Sequence, residues 1–269
     1  MIWFKLWISE AYSIRQLSDQ SGYSERSLSR QFSNYLLDDP IYKASSFDSV
    51  KYVVFDGTYL HRPKSIIGLM NAESHELFDA VYGISENKKG DLVRYFNQLA
   101  ENGFSPASVT IDGNPTVIKS FLEVWPTIII QRCLVHVQRQ GMSWCRTSPK
   151  RTDALKLKEI FNNLSWVHDE FTKNEFLKTV RQWEERYGEA IESRTEKGWV
   201  FSDLKRARSM LLKAIPNMFH FIENRKIPKS TNIMEGYFSR LKLRYRNHRG
   251  ITENHLQNYF KWYFYFCRK

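Results

Sequence analysis

Three acidic residues far apart in the chain, Asp56, Asp112 and Glu235, each stand where a carboxylate has a chemical use. Asp56 is expected to close the apolar run Val53-Val54-Phe55 and is followed by Gly57-Thr58; Asp112 is expected to close Val109-Thr110-Ile111 and is followed by Gly113-Asn114. If those two strands are adjacent and parallel, both acids emerge at the same edge of a sheet, where hard oxygen donors can hold two divalent ions, Mg²⁺ (or Mn²⁺). Phosphodiester chemistry uses such a pair: one ion activates the attacking oxygen and the other stabilises the leaving one, with the ions about 3.5 to 4 Å apart. Glu235 would complete the set from the start of a helix that is otherwise basic, since Arg240, Lys242, Arg244, Arg246 and Arg249 follow with no acid among them. Those cations are the expected holders of a nucleic-acid backbone, which makes binding salt-sensitive.

Each acid also has a plainer explanation. Asp-Gly favours tight turns, and Asn232 followed by Glu235 has the spacing of a capping box, in which the Glu side chain satisfies an orphan amide. Cys133-Leu-Val-His136 supplies two zinc ligands, but no second close pair completes a tetrahedron. A packed Cys and a hydrogen-bonded core His explain it as well; at a helix start, His136 could also face a phosphate.

The elements that must position these residues follow from pattern. Residues 13–33 read as two short helices around Gly22, with Ile14, Leu17, Tyr23, Leu28 and Phe32 on the inner face and Ser24 as N-cap of the second. An ordinary helical hairpin shares this pattern; as a helix-turn-helix it turns Arg26, Ser27 and Arg30 outward, toward base edges and phosphates of a major groove. Asp38-Asp39-Pro40 and Ser45-Ser46 look like a linker, giving a helix-turn-helix DNA-binding region over 1–45 and a catalytic domain over 46–269. Strands are expected at Tyr52–Phe55, Ser65–Asn71 and Glu76–Ile84, a helix carrying Leu92, Tyr95, Phe96 and Leu99 up to the stop signal Asn102-Gly103, a strand at Ala107–Ile111, a helix from Pro115 to about Val124, and a strand at Thr127–Gln131. The order β-β-β-α-β-α-β is that of an α/β, ribonuclease-H-like mixed sheet, in which right-handed crossovers bring the fourth strand beside the first. Residues from about 137 to 228 show only amphipathic helical patterns, Leu155-Ile160-Leu164, Phe171-Phe176-Val180-Trp183 and Leu204-Ala207-Leu211-Leu212-Ile215, and form an all-helical insertion.

The 269 residues, 42% hydrophobic and 15% aromatic, are enough for a sizeable core, so the charge is not that of a disordered chain. A net charge of +11 favours an acidic polymer as partner, and residues 225–269 hold 11 Lys and Arg against Glu235 and Glu253 alone. Cys133, Cys145 and Cys267 make no even framework, so free thiols in a cytoplasmic protein are expected. No stretch has the roughly 20 apolar residues of a membrane span, and the aromatic run Tyr259–Phe266 is expected to be a core helix.

In this order over roughly residues 50 to 250, Asp56-Gly-Thr, Asp112-Gly-Asn, Cys133-Leu-Val-His136 and Thr231-Asn-Ile-Met-Glu235-Gly resemble the DDE transposases of bacterial insertion sequences, near the Mutator-like branch. The resemblance implies a ribonuclease-H-like core, a helical insertion between the second Asp and the Glu, and Asp56, Asp112 and Glu235 as the triad that binds two divalent metals. It also implies an auxiliary role for Cys133 and His136 beside them, and an N-terminal helix-turn-helix that recognises element ends. Trp183 and Tyr187 loosely match an aromatic pattern of the same family, though a core Trp is the better explanation of the first. The expected partner is double-stranded DNA, as element ends and target, with a homo-oligomer assembled on it and a nucleoid-associated location. The activity the resemblance implies is metal-dependent cleavage of DNA strands and transfer of the freed 3′-hydroxyl to a target phosphodiester, with two rivals beside it: a nuclease that hydrolyses without joining, and a DNA-binding regulator or domesticated remnant.

Overall fold

The computed structural model describes residues 1–41, 49–61, 64–193, 198–248 and 250–268, so Ser45-Ser46 and Arg249 lie outside the described residues. In chain order the elements are α1 (Ile2–Glu10), α2 (Ile14–Ser21), α3 (Glu25–Tyr35), β1 (Tyr52–His61), β2 (Lys64–Asn71), β3 (Leu77–Ile84), α4 (Lys89–Glu101), β4 (Ser108–Ile111), α5 (Pro115–Val124), β5 (Ile129–Arg132), α6 (Leu134–Cys145), α7 (Thr152–Asn163), α8 (Glu170–Trp183), α9 (Glu189–Glu192), α10 (Trp199–Ala214), α11 (His220–Glu223), α12 (Asn232–Arg246) and α13 (Glu253–Phe266). The protein is α/β, with a five-stranded mixed sheet in the order β3-β2-β1-β4-β5. Two compact units divide the chain: Met1–Pro106 with Pro115–Pro126 and Asn232–Lys269, and Ala107–Asn114 with Thr127–Thr231.

In the first unit β1, β2 and β3 are antiparallel neighbours. Alternation along β1 sends Val53 and Phe55 to one face, Val54 and Asp56 to the other. On the first face Phe55 meets Phe96 of α4 and Phe121 of α5, at ring-centroid distances of 5.9 and 5.4 Å. On the second, Val54, Ile66 and Met70 join a core with Met234, Tyr237 and Leu241 of α12 and Tyr259, Phe260 and Tyr263 of α13. Phe4, Trp7 and Ile8 of α1, Leu17 of α2, and Leu28 and Phe32 of α3 belong to the same core. Phe4 packs edge-on against Trp262, and His248 Nε2 bonds the Trp7 carbonyl at 2.7 Å. The aromatic C-terminal run thus forms the core helix expected of it. The opening helix Ile2–Glu10 is another core helix.

The predicted caps around α2 and α3 are present. Gly22 takes the left-handed conformation, φ 73°, that ends α2, and the Ser24 side chain accepts from Ser27 N at 3.2 Å to start α3. Tyr23 corrects the expected inner face: it follows the left-handed Gly22, outside either helix, and is 50% exposed.

In the second unit β4 and β5 are parallel, with Ile111 opposite Arg132. Helices α6 to α11 complete it, and no strand other than these two occurs among its described residues. Its core uses Ala154, Leu157, Ile160, Phe161, Phe176, Val180, Trp183, Leu204, Ala207 and Leu211. Leu155 and Phe171, expected on buried faces, are 42% and 74% exposed. On α7 the buried stripe runs through Ala154, Leu157, Ile160 and Phe161, one position off Leu155; Phe171 sits in the first turn of α8, short of the stripe that starts at Phe176. Trp183 is a core residue whose indole donates to the Asp153 carbonyl at 3.0 Å. Cys133, Cys145 and Cys267 are free thiols. Among the described residues, no helix is long and apolar enough to cross a membrane.

Candidate active site

Asp56 does not close β1. It lies within it, paired with Gly68 of β2, and the ladder continues through Gly57–Ile67 and Thr58–Ile66. The predicted strand end at Phe55–Asp56 is therefore corrected, for a packing reason. Gly57 stays extended, and the Glu86 side chain fills the space that a Cβ at 57 would take, so the glycine here serves close approach instead of a turn. Asp56 is half-buried, with Gly57 N donating to its own Oδ1 at 2.9 Å.

Directly opposed residues of an antiparallel pair share a face. The bare Gly68 opposite Asp56 is covered by Leu77 and Met234: a Cβ there would stand 3.2 Å from Leu77 Cδ1 and 3.4 Å from both Met234 Sδ and Cε. Met234 precedes Glu235, so α12 docks on the face that carries the Asp56 side chain. Glu235 lies in the first turn of α12 and is half-buried, with Oε1 out of contact with solvent. The helix dipole favours a negative charge there. Asn232 is the first residue of α12.

Asp112 lies just past the end of β4, as expected. Gly113 has φ +104°, the left-handed region that favours glycine, and Asn114 N donates to Asp112 Oδ1 at 2.9 Å, forming a tight turn after the strand. Cys133 follows β5 as β4 and β5 run in parallel, and its N–H donates to the Ile111 carbonyl at 2.8 Å. It is the N-cap of α6, and His136 lies in the first turn. Thr231 ties the pair together: its N–H donates to Cys133 Sγ at 3.3 Å, and its Oγ1 lies 3.6 Å from that sulfur and 3.4 Å from His136 Nδ1. Burial pushes the Cys133 thiol up, but hydrogen bonds from His136 and Thr231 to the sulfur outweigh it and hold the thiol below its ordinary value. Leu134 N donates to the Lys229 carbonyl at 2.9 Å and Thr110 Oγ1 to the Pro228 carbonyl at 2.8 Å. The segment 228–231 that leads to α12 is thereby stitched to the strand ends.

Two carboxylates have thus been placed in the first unit, Asp56 and Glu235, and one in the second, Asp112, beside Cys133 and His136. Carboxylate oxygens are the donor chemistry of Mg²⁺ or Mn²⁺. Among the described residues, no group of three or more His, Cys, Asp or Glu side chains is arranged to hold a metal ion. The donor types therefore fit such ions, while a finished cage is not part of the described arrangement.

A family model for transposases of the Mutator family matches residues 16–255, a span that includes Asp56, Asp112 and Glu235, the Cys-His pair and the whole of α12. The chain belongs to the Mutator family of transposases. A search of curated proteins finds no match. Membership carries the general activity, DNA transposition, and with it DNA as a partner.

The basic residues expected to face DNA are placed as follows. Arg26 and Arg30 of α3 are exposed and Ser27 is half-exposed. On α12 Arg240 and Arg246 are exposed and Lys242 is half-buried. Arg244 is turned inward: it donates to the Tyr263 hydroxyl at 3.2 Å and lies 3.8 Å from Glu10. Three residues that matter to the site are not singled out by the sequence. Gly68 and Arg132 sit in runs with no motif, and Met234 falls inside the Thr231–Gly236 motif without being singled out there; packing alone draws attention to all three.

Proposed function

We propose that this transposase cleaves DNA and joins the freed 3′-hydroxyl to a target phosphodiester, using a ribonuclease-H-like core in which Asp56, Asp112 and Glu235 are the catalytic carboxylates. The observation that carries this is the docking of α12 by Met234 on Gly68, directly opposite Asp56, which sets Glu235 next along from a residue packed on the Asp56 face. The strand order and the change from antiparallel to parallel pairing support the core assignment. Asp56, Asp112 and Glu235 would hold two divalent ions, Mg²⁺ or Mn²⁺, which when bound supply an activated attacking oxygen and stabilisation of the leaving one. Cys133, His136 and Thr231 stiffen the strand ends beside Asp112. Arg240, Lys242 and Arg246 neutralise backbone phosphates, with α2 and α3 as a helix-turn-helix whose Arg26, Ser27 and Arg30 face the element end. Two ends must be joined, so a homo-oligomer assembles on DNA.

The test is a Mg²⁺-dependent cleavage and joining assay on DNA bearing the element's ends. Asp56→Asn, Asp112→Asn and Glu235→Gln should each lose more than the roughly 10- to 100-fold typical of residues that only support metal ligands, with DNA retention in a gel shift unchanged. Undiminished cleavage by one variant removes that residue from the triad. Cleavage without joining makes the protein a nuclease, and binding without cleavage makes it a regulator.

A further inference from the structure

Arg132 is the last residue of β5, opposite Ile111 and therefore one step from Asp112. It is 9% exposed, unusual for an arginine. Its Nη2 donates to the main-chain carbonyl of Asp112 at 3.2 Å. Its guanidinium lies flat in the space that a side chain on Gly113 would need, against Cζ, Nη2 and Nε alike. Its Nε is buried and has no hydrogen-bond partner among the described residues. Burial pulls the guanidinium pKa down while the Asp112 and Cys133 charges push it back up.

A buried cation with an unsatisfied donor is a costly way to fill space; an apolar side chain of similar length would pack at lower cost. The return on that cost has to be sought in what the guanidinium touches, and it touches the turn that carries Asp112. Asn114 N fixes the Asp112 carboxylate from within the turn. Arg132 fixes the main chain of the same turn from β5. The two devices are complementary, and Gly113 is bare on the side where the guanidinium lies. Gly113 thus has two duties, its left-handed φ and the seat for Arg132.

We propose that Arg132 is a positioning residue for Asp112: its guanidinium, laid across Gly113 and bonded to the Asp112 carbonyl, holds the 112–114 turn in the one conformation that presents the Asp112 carboxylate for metal binding. This rests on Asp112 being a metal-binding carboxylate. Arg132 itself touches neither DNA nor metal in this role. A lysine keeps the charge and can still reach the carbonyl, but it cannot lie across the glycine as a planar fork does.

Full-length Arg132→Gln and Arg132→Lys are compared with wild type and with Asp112→Asn. Three quantities are measured: Mn²⁺ binding by electron paramagnetic resonance without DNA, amide exchange at Gly113 and Asn114, and single-turnover cleavage at saturating DNA. Arg132→Gln should weaken Mn²⁺ binding about 10- to 100-fold, the range for residues that orient metal ligands. It should speed exchange at 113 and 114, and lower the cleavage rate without changing the half-saturating DNA concentration. Arg132→Lys should recover part of each loss, and it keeps the test open should the Gln variant fail to fold. Wild-type Mn²⁺ binding and cleavage in Arg132→Lys and, if it folds, Arg132→Gln, with Asp112→Asn impaired, overturns the role of Arg132 alone. Wild-type Mn²⁺ binding in Asp112→Asn overturns the assignment of Asp112, and the role of Arg132 with it.

Discussion

Asp56 lies inside a hydrogen-bonded ladder and Asp112 outside one, and the two are held by different forces. Around Asp56 the work is done by packing: Gly57 admits Glu86 on one face, Gly68 admits Met234 on the other, and α12 rests on the second. Around Asp112 it is done by polar groups: a turn closed by Asn114, a guanidinium across Gly113, and a Thr-Cys-His cluster at the head of α6. Both stretches read Asp-Gly after an apolar run. One motif therefore covers two backbones, an extended one chosen for close approach and a left-handed one chosen for a turn. A carboxylate held by apolar contacts should be lost by changing volume, and one held by polar contacts by deleting partners one at a time.

The largest effect should come from Met234→Ala. Met234 is fully buried, and emptying its site should cost about 2–5 kcal/mol, seen as a lower urea midpoint. Filling the seat from the other side, with Gly68→Val, should cost roughly 1–3 kcal/mol by overpacking, and should reduce cleavage more than the stability loss explains because α12 is displaced. On the polar side Thr231→Val should cost less, about 0.5–1.5 kcal/mol, since it removes one hydroxyl's contacts and keeps its shape. If Thr231→Val proved costlier than Met234→Ala, the division into a packed acid and a polar-held acid would fall.

The smallest effect is one of pH. Burial lowers the pKa of His248, against the hydrogen bond to the Trp7 carbonyl that raises it. Its folded value is therefore below the unfolded one, near 6.5. Above that unfolded value neither state holds the proton and stability is unaffected. As pH falls through it, the unfolded chain takes up a proton that the folded chain resists, so stability drops until the folded value is reached. Denaturation midpoints measured from neutral pH downward should fall in wild type, and fall less in His248→Gln. An equal slope in both would show that His248 does not titrate with folding.

Much of the fold was legible because it rests on local signals. Helix α5 runs Pro115–Val124 as its proline start and apolar spacing dictate, and α4 stops at Asn102-Gly103. The turn after β4 was legible too, since Asp-Gly-Asn forms it within three residues. What escaped depends on contacts between distant segments. The length of β1 past Asp56 is set by its pairing with β2, which no window around Asp56 contains. Helix α1 is apolar on most sides, without the polar face that marks a surface helix, and is helical because α3 and α13 enclose it. Exposed Tyr23 and Phe171 sit just outside the helical stripes whose apolar spacing they continue. The candidate acids were found by residue type and neighbours; of the residues packed around them, Met234 lies in a motif that does not single it out, and Gly68 and Arg132 have no local mark.

The central claim is that Asp56, Asp112 and Glu235 serve one metal site. Replacing Mg²⁺ by Fe²⁺ and generating hydroxyl radicals at the bound iron tests it most directly, by mapping where the polypeptide is cut. The account predicts cuts near residues 56, 112 and 235 together, all suppressed by excess Mg²⁺. Cuts confined to one of those segments, or cuts that Mg²⁺ does not suppress, would contradict it.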